Sequence, residues 1–281
     1  MVTYNRTSVR VELPRLIVGH RLRLSATTMK ITFELNPPKI VKDHHFNLVL
    51  LNQEIQKFTK RASELIDLVD GIHLTDSVLG IARISSVTAA SLIKKTGNHL
   101  NLSCSVRARD RNYTSICQFV SDAILIGVKG VLVLMGDDPV NGSRDLGLKP
   151  SSVLKMLYYE KYNSVIDFYL TIPAKIKDPS CIQKKIDAKP SALVTQSIAS
   201  LAELGEIVDV VRSHKIPVVA CIMVPSKNNQ TSAEMIGLDW KEYQNNAVDF
   251  VRDAGDLASE VLLTSPNSFQ SGLELLERLR R

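Results

Sequence analysis

A single (β/α)8 barrel is the fold that this sequence predicts, on three observations. From Met29 onward, short apolar runs alternate with amphipathic stretches. The repeat is about 30 residues, as expected for βα units, and the connections are short. Eight such units fit in 281 residues, close to the usual length of one barrel. An open doubly wound sheet is the competing architecture, but no Gly-x-Gly-x-x-Gly follows the first strand.

The strands are read as Lys30 to Leu35, Leu68 to Thr75, Leu100 to Val106, Val128 to Met135, Val165 to Ile172, Ala192 to Gln196, Ile216 to Val224 and Val261 to Thr264. Near-continuous apolar composition in these runs suits strands buried on both faces. Helices are expected over Phe46 to Leu65, Val87 to Lys95, Asn112 to Ile126, Ser151 to Lys161, Ser180 to Ala188, Ser200 to Ser213, Asp239 to Asp253 and Phe269 to Leu279. Residues 1–28 show neither period. They read as an extension outside the barrel or a start set too early, with folding beginning at Met29, and residues 29–281 form the barrel.

Composition narrows the function. The formal charge is +6, but the first 28 residues, with five arginines and one acid, account for +4 of it. The rest is nearly balanced and carries no basic stripe with interleaved aromatics, which argues against nucleic-acid binding. No apolar run approaches a bilayer span and no secretory signal pattern is present, so a cytoplasmic location is expected. The four cysteines lack any C-x-x-C pair and read as reduced thiols.

Active sites in barrels form at the C-terminal strand ends. There the sequence places Glu34, Thr75-Asp76, Arg109-Asp110-Arg111-Asn112, Gly136-Asp137-Asp138 and Thr195-Gln196. Each alone also has an ordinary reading: a solvated strand-end charge, a turn cap, a salt-bridged helix start, a helix N-terminus. Several carboxylates and amides gathered on one rim point instead to a site.

These residues carry a resemblance. Phe33-Glu34-Leu35-Asn36-Pro37-Pro38, Gly136-Asp137-x-Pro139 and Thr195-Gln196, in order on eight βα units, resemble methylenetetrahydrofolate reductases, and Asp70-Gly71-x-x-x-Thr75-Asp76 and Arg109-Asp110-Arg111-Asn112 are similar to their short archaeal or bacterial members. The resemblance implies a barrel that reduces 5,10-methylenetetrahydrofolate, or a related methylene-pterin, to the 5-methyl form with hydride from NADH or NADPH through FAD. It implies Glu34 as general acid and Asp137 as a catalytic residue facing flavin and pterin. Gln196 and Gln230, with Asp137, would bind substrate. Thr75, Gly136, Asp137 and Lys185 would contact the flavin. The pattern also departs from the family: Met135 stands where an arginine precedes the Gly-Asp turn, and Ile172-Pro173 where many members place a flavin-contacting tyrosine. The alternative reading is a flavin-free barrel of the same shape acting as a binding or accessory subunit in one-carbon metabolism. The partners implied are a small folate or pterin and, for the protein, copies of itself or an associated subunit.

Overall fold

The computed structural model describes residues 29–42, 45–97, 99–138, 147–176 and 179–281. The expectation for residues 1–28, and the Pro139 of the Gly-Asp turn, lie outside them. Eight parallel strands close into a barrel: β1 (Ile31–Leu35), β2 (Gly71–Leu74), β3 (Asn101–Arg107), β4 (Gly130–Leu134), β5 (Asp167–Ile172), β6 (Ala192–Thr195), β7 (Val218–Met223) and β8 (Glu260–Thr264), with β8 hydrogen-bonded back to β1. Every strand overlaps the run that predicts it, although four of them, the second, fourth, fifth and seventh, begin two or three residues later than expected.

The helices outside the barrel are α1 (Leu48–Glu64), α2 (Ser86–Lys95), α3 (Tyr113–Ile126), α4 (Pro150–Tyr159), α5 (Pro179–Ile186), α6 (Leu201–Arg212), α7 (Gln230–Met235), α8 (Ala247–Leu257) and α9 (Phe269–Arg280). Their starts are set by side chains that satisfy otherwise unpaired first-turn amides. Asn47 accepts from Val49 and Leu50, Ser85 from Thr88, Asn112 from Ser115, and Ser200 from Glu203. Among the described residues, no helix is long and apolar enough to cross a membrane.

Two elements depart from the sequence reading. The helix expected over Asp239 to Asp253 begins only at Ala247, after a succession of turns. The turns let Trp240 and Tyr243 enter the core, Tyr243 stacking on Phe250 with ring centroids 4.2 Å apart and donating to the Met223 carbonyl. Burial of two large aromatics outweighs one further helical turn. The short helix α7 was not anticipated, because six residues carry too little periodicity to register.

Alternation along the strands divides the core in two. Phe33 on β1 points outward and meets Phe269 of α9 edge-to-face. Between these outward residues, Thr32 and Glu34 point into the barrel, at the level of Leu262 and Thr264 on β8 and of Gly71 and His73 on β2. One side of the interior is apolar, built from Leu132, Val194, Cys221 and Leu262. The other is polar, with Glu34, His73, Ser103 and Ser105. This division places chemistry on the β8–β1–β2–β3 side of the barrel.

Candidate active site

Glu34 points into the barrel near the C-terminal end of β1, at the level of Thr264. Its Oε1 accepts from the Thr264 hydroxyl at 2.7 Å, and burial pushes its pKa up from 4.5, only partly offset by that hydrogen bond. A carboxyl so placed holds its proton to higher pH than a solvated one, as a general acid must. Cys221 lies near enough for Glu34 to act on it electrostatically, but burial pushes its thiol up to about 12, so it is no thiolate nucleophile.

The rim over β2, β3 and β4 is organised by Arg107, which is buried, at 1% exposure. Its guanidinium donates to the carbonyls of Ser77 (2.7 Å) and Asp137 (2.8 Å) and pairs with Asp110 (2.9 Å). The side chain runs under the β4 turn so closely that a Cβ at Gly136 would lie 2.8 Å from Arg107 Cγ. Gly136 also has φ +83°, which glycine alone adopts without strain. Two non-glycine residues on the facing loop, Ser77 (φ 47°) and Leu79 (φ 58°), are left-handed as well. They are held by Arg107 and by Asp137, whose Oδ2 accepts from the Leu79 amide at 2.7 Å. Asp76 is nearly buried and receives the Arg107 amide and the Arg111 guanidinium, both at 3.1 Å. Arg109 holds the Gly136 carbonyl and pairs with Asp138.

The other residues implicated by the sequence are distributed unevenly. Thr75 sits beside β1 and donates its hydroxyl to Asn36 Oδ1 at 2.7 Å. Thr195 Oγ1 accepts the Cys221 amide at 2.9 Å, extending the β6–β7 ladder past its last paired residues, so its part is structural. Gln196 follows it with an exposed side chain, its amide fixed to the Ile172 carbonyl. Lys185 reaches from α5 to the Thr171 carbonyl at 2.6 Å. Gln230 is exposed and donates to Glu234 on its own helix, with no hydrogen bond to the rest of the set. Its neighbour Asn229 is fully buried and ties the β7 loop to the β8 loop through Val224, Ser265 and Asn267.

The barrel is also that of several solved structures. A deoxyribose phosphate aldolase from Aeropyrum pernix aligns over 89% of each chain with a TM-score of 0.54 at 12% identity. A tryptophan synthase structure from Mycobacterium tuberculosis aligns over 89% of this chain and 91% of its own, with a TM-score of 0.51 at 11% identity. A protein from Aquifex aeolicus VF5 aligns over 89% of each, at 0.54 and 14%. This likeness is one of fold alone. No family model and no curated protein matches the sequence.

Sequence reasoning missed Arg107, Thr264 and His73. Arg107 falls at the end of an apolar run and reads as a strand terminus. The pairing of Thr264 with Glu34 spans 230 residues and needs barrel closure. His73 is a lone histidine within a strand. It bridges Ser103 and Ser105 at 2.8 Å from each ring nitrogen, and burial drives its pKa down to about 4, which keeps the ring neutral.

The raised pKa of Glu34 predicts a pH signature of stability. Between 4.5 and the folded value, the unfolded chain has released a proton that the folded chain keeps, so rising pH favours unfolding. The contribution is fully present below 4.5 and is lost as pH climbs through the folded pKa. In Glu34→Gln the amide oxygen still accepts from Thr264 and nothing titrates. Its stability relative to wild type should therefore rise from acid to neutral pH, by about 1.4 kcal/mol per pH unit within that window. Denaturant midpoints at a series of pH values check this; a difference independent of pH would show that Glu34 ionises normally.

Proposed function

We propose that this chain is a reductase that converts a methylene-pterin of the folate type to its 5-methyl form, with NADH or NADPH supplying the hydride. The observation that carries the reading is Glu34: a carboxyl inside the barrel, beneath the C-terminal mouth, desolvated and oriented by Thr264. Reduction of 5,10-methylenetetrahydrofolate needs one proton and one hydride at different atoms. Protonation of a bridging amine by Glu34 breaks one carbon–nitrogen bond of the five-membered ring and leaves an iminium. Hydride addition to its methylene carbon then gives the methyl group, and Glu34, now a carboxylate, recovers a proton from solvent. Asp137 would receive the pterin's N–H groups with Oδ1, the oxygen that has no partner among the described residues. Gln196, exposed after β6, would hold the far edge of the ring.

FAD, which the resemblance places between nicotinamide and substrate, would meet residues that already have partners: Arg107 packs against Gly136, the Thr75 hydroxyl donates to Asn36, and Lys185 donates to the Thr171 carbonyl. No step is routed through the flavin.

The assay that tests the proposal follows oxidation of NADH or NADPH with 5,10-methylenetetrahydrofolate, with and without added FAD. Turnover is expected from the purified chain. Binding of the folate with no turnover under any of these conditions would identify a binding subunit instead.

A further inference from the structure

A cavity bounded by described residues lies at the opposite end of the barrel. It opens at the N-terminal mouth and occupies about 580 Å³, a volume typical of small-molecule sites. Barrel interiors are ordinarily filled by layers of bulky side chains. Here two of the lowest inward positions, Gly71 and Ala192, are small and line the cavity. Gly130, at the level of Ser103, carries no side chain because a Cβ there would lie 2.4 Å from the ring of Tyr169, which crosses the strand at this point.

The cavity lining is of two unlike kinds. Leu132, Val194, Val219 and Leu262 are apolar and continuous with the interior cluster. Glu260, the register partner of Val219 on β8, lines the same cavity, with Oε1 accepting from the Thr32 hydroxyl at 2.5 Å and the other oxygen without a partner among the described residues. The Tyr169 hydroxyl also makes no hydrogen bond there, and both Glu260 and Asp167 act on it electrostatically. Burial pushes the Glu260 pKa up, the expected state of a carboxylate that lacks a counter-ion in contact. Lys30 and Lys129 also border the cavity but are exposed, and the Lys30 charge offsets the rise in the Glu260 pKa only in part. Asp70, on the rim, is already paired with Arg280.

We propose that this cavity binds a small amphipathic amine, its ammonium received by Glu260 and the Tyr169 hydroxyl oxygen, its apolar body against Leu132, Val194, Val219 and Leu262. An ammonium has three donors and no acceptor, which matches a carboxylate oxygen and a phenol oxygen that both lack donors. A carboxylate ligand would face Glu260 and Asp167 and be repelled. A neutral alcohol would fill the same space with a weaker hydrogen bond.

Calorimetric titration of the full chain with phenethylammonium, 2-phenylethanol and 3-phenylpropanoate tests the assignment without reference to any reaction at the other mouth. The amine is expected to bind with one site per chain, about tenfold or more tighter than the alcohol, and the acid not measurably. Glu260→Gln, which keeps an oxygen for Thr32, should erase the preference for amine over alcohol, and Tyr169→Phe should reduce it. Equal binding of amine and alcohol by the wild-type chain, an unchanged preference in Glu260→Gln, or no saturable binding of the amine would each overturn the proposal. The wild-type comparison decides the matter even if a variant does not fold.

Discussion

Glu34→Gln is expected to slow reduction of the methylene-pterin by about 10² to 10⁴-fold, the range over which general-acid catalysis contributes. The substitution is nearly isosteric and retains the oxygen that accepts from Thr264, so neither the packing of β1 nor the closure of the barrel should change. What is lost is the proton. Because bridge opening requires that proton before hydride can be accepted, the loss should fall on kcat, while KM for the folate moves little. Thr264→Val, which removes the orienting hydroxyl but leaves the acid, should give an intermediate loss. A Glu34→Gln protein reducing the substrate at near wild-type rate would remove Glu34 from the chemistry.

Arg107→Ala should be the most destabilising single change at the rim, costing on the order of 3 to 5 kcal/mol. The guanidinium is buried, and its removal leaves two carbonyls without their donor, Asp110 without its partner, and a cavity beneath the β4 turn. The left-handed Ser77 and Leu79 would lose half of what holds them, so the site should loosen as well as weaken. The contact with Gly136 supplies an internal check. In wild type, Gly136→Ala suffers both the positive φ and collision with the Arg107 side chain. In the Arg107→Ala background only the backbone strain remains, about 1 kcal/mol. Urea denaturation of the four proteins of this cycle should reveal coupling; strict additivity would mean that Arg107 and Gly136 do not interact as described.

The fold was legible because it rests on local pattern. Eight apolar runs at a steady spacing become eight strands, and the helix starts are marked by Asn47, Ser85, Asn112 and Ser200, whose side chains act within three residues of themselves. Reading failed where tertiary burial overrode that pattern, as when Trp240 and Tyr243 were drawn into the core at the expense of helix. The rim was half legible. Strand-end position put Glu34 and Asp137 at the C-terminal mouth, where the barrel places them. It could not show that Glu34 is held by Thr264, that Gly136 is shaped by Arg107, or that Gln230 is engaged by Glu234, because each depends on a partner's side-chain direction. Nor could it distinguish Thr195, a polar residue spent on the sheet, from Gln196, one exposed beside the site. The cavity at the other mouth was invisible for a related reason: Gly71 and Ala192, small residues on separate strands, come to line one space only once the barrel closes.

The most direct test of the central claim follows the hydride itself. The protein is incubated with 5,10-methylenetetrahydrofolate and NADH or NADPH deuterated at the transferring position, and the folate product is weighed by mass spectrometry. A 5-methyl product carrying one deuterium in its methyl group is expected, formed by the wild-type chain and almost abolished in Glu34→Gln. Unconsumed nicotinamide and no methyl product from a folded wild-type protein, with and without FAD, would contradict it.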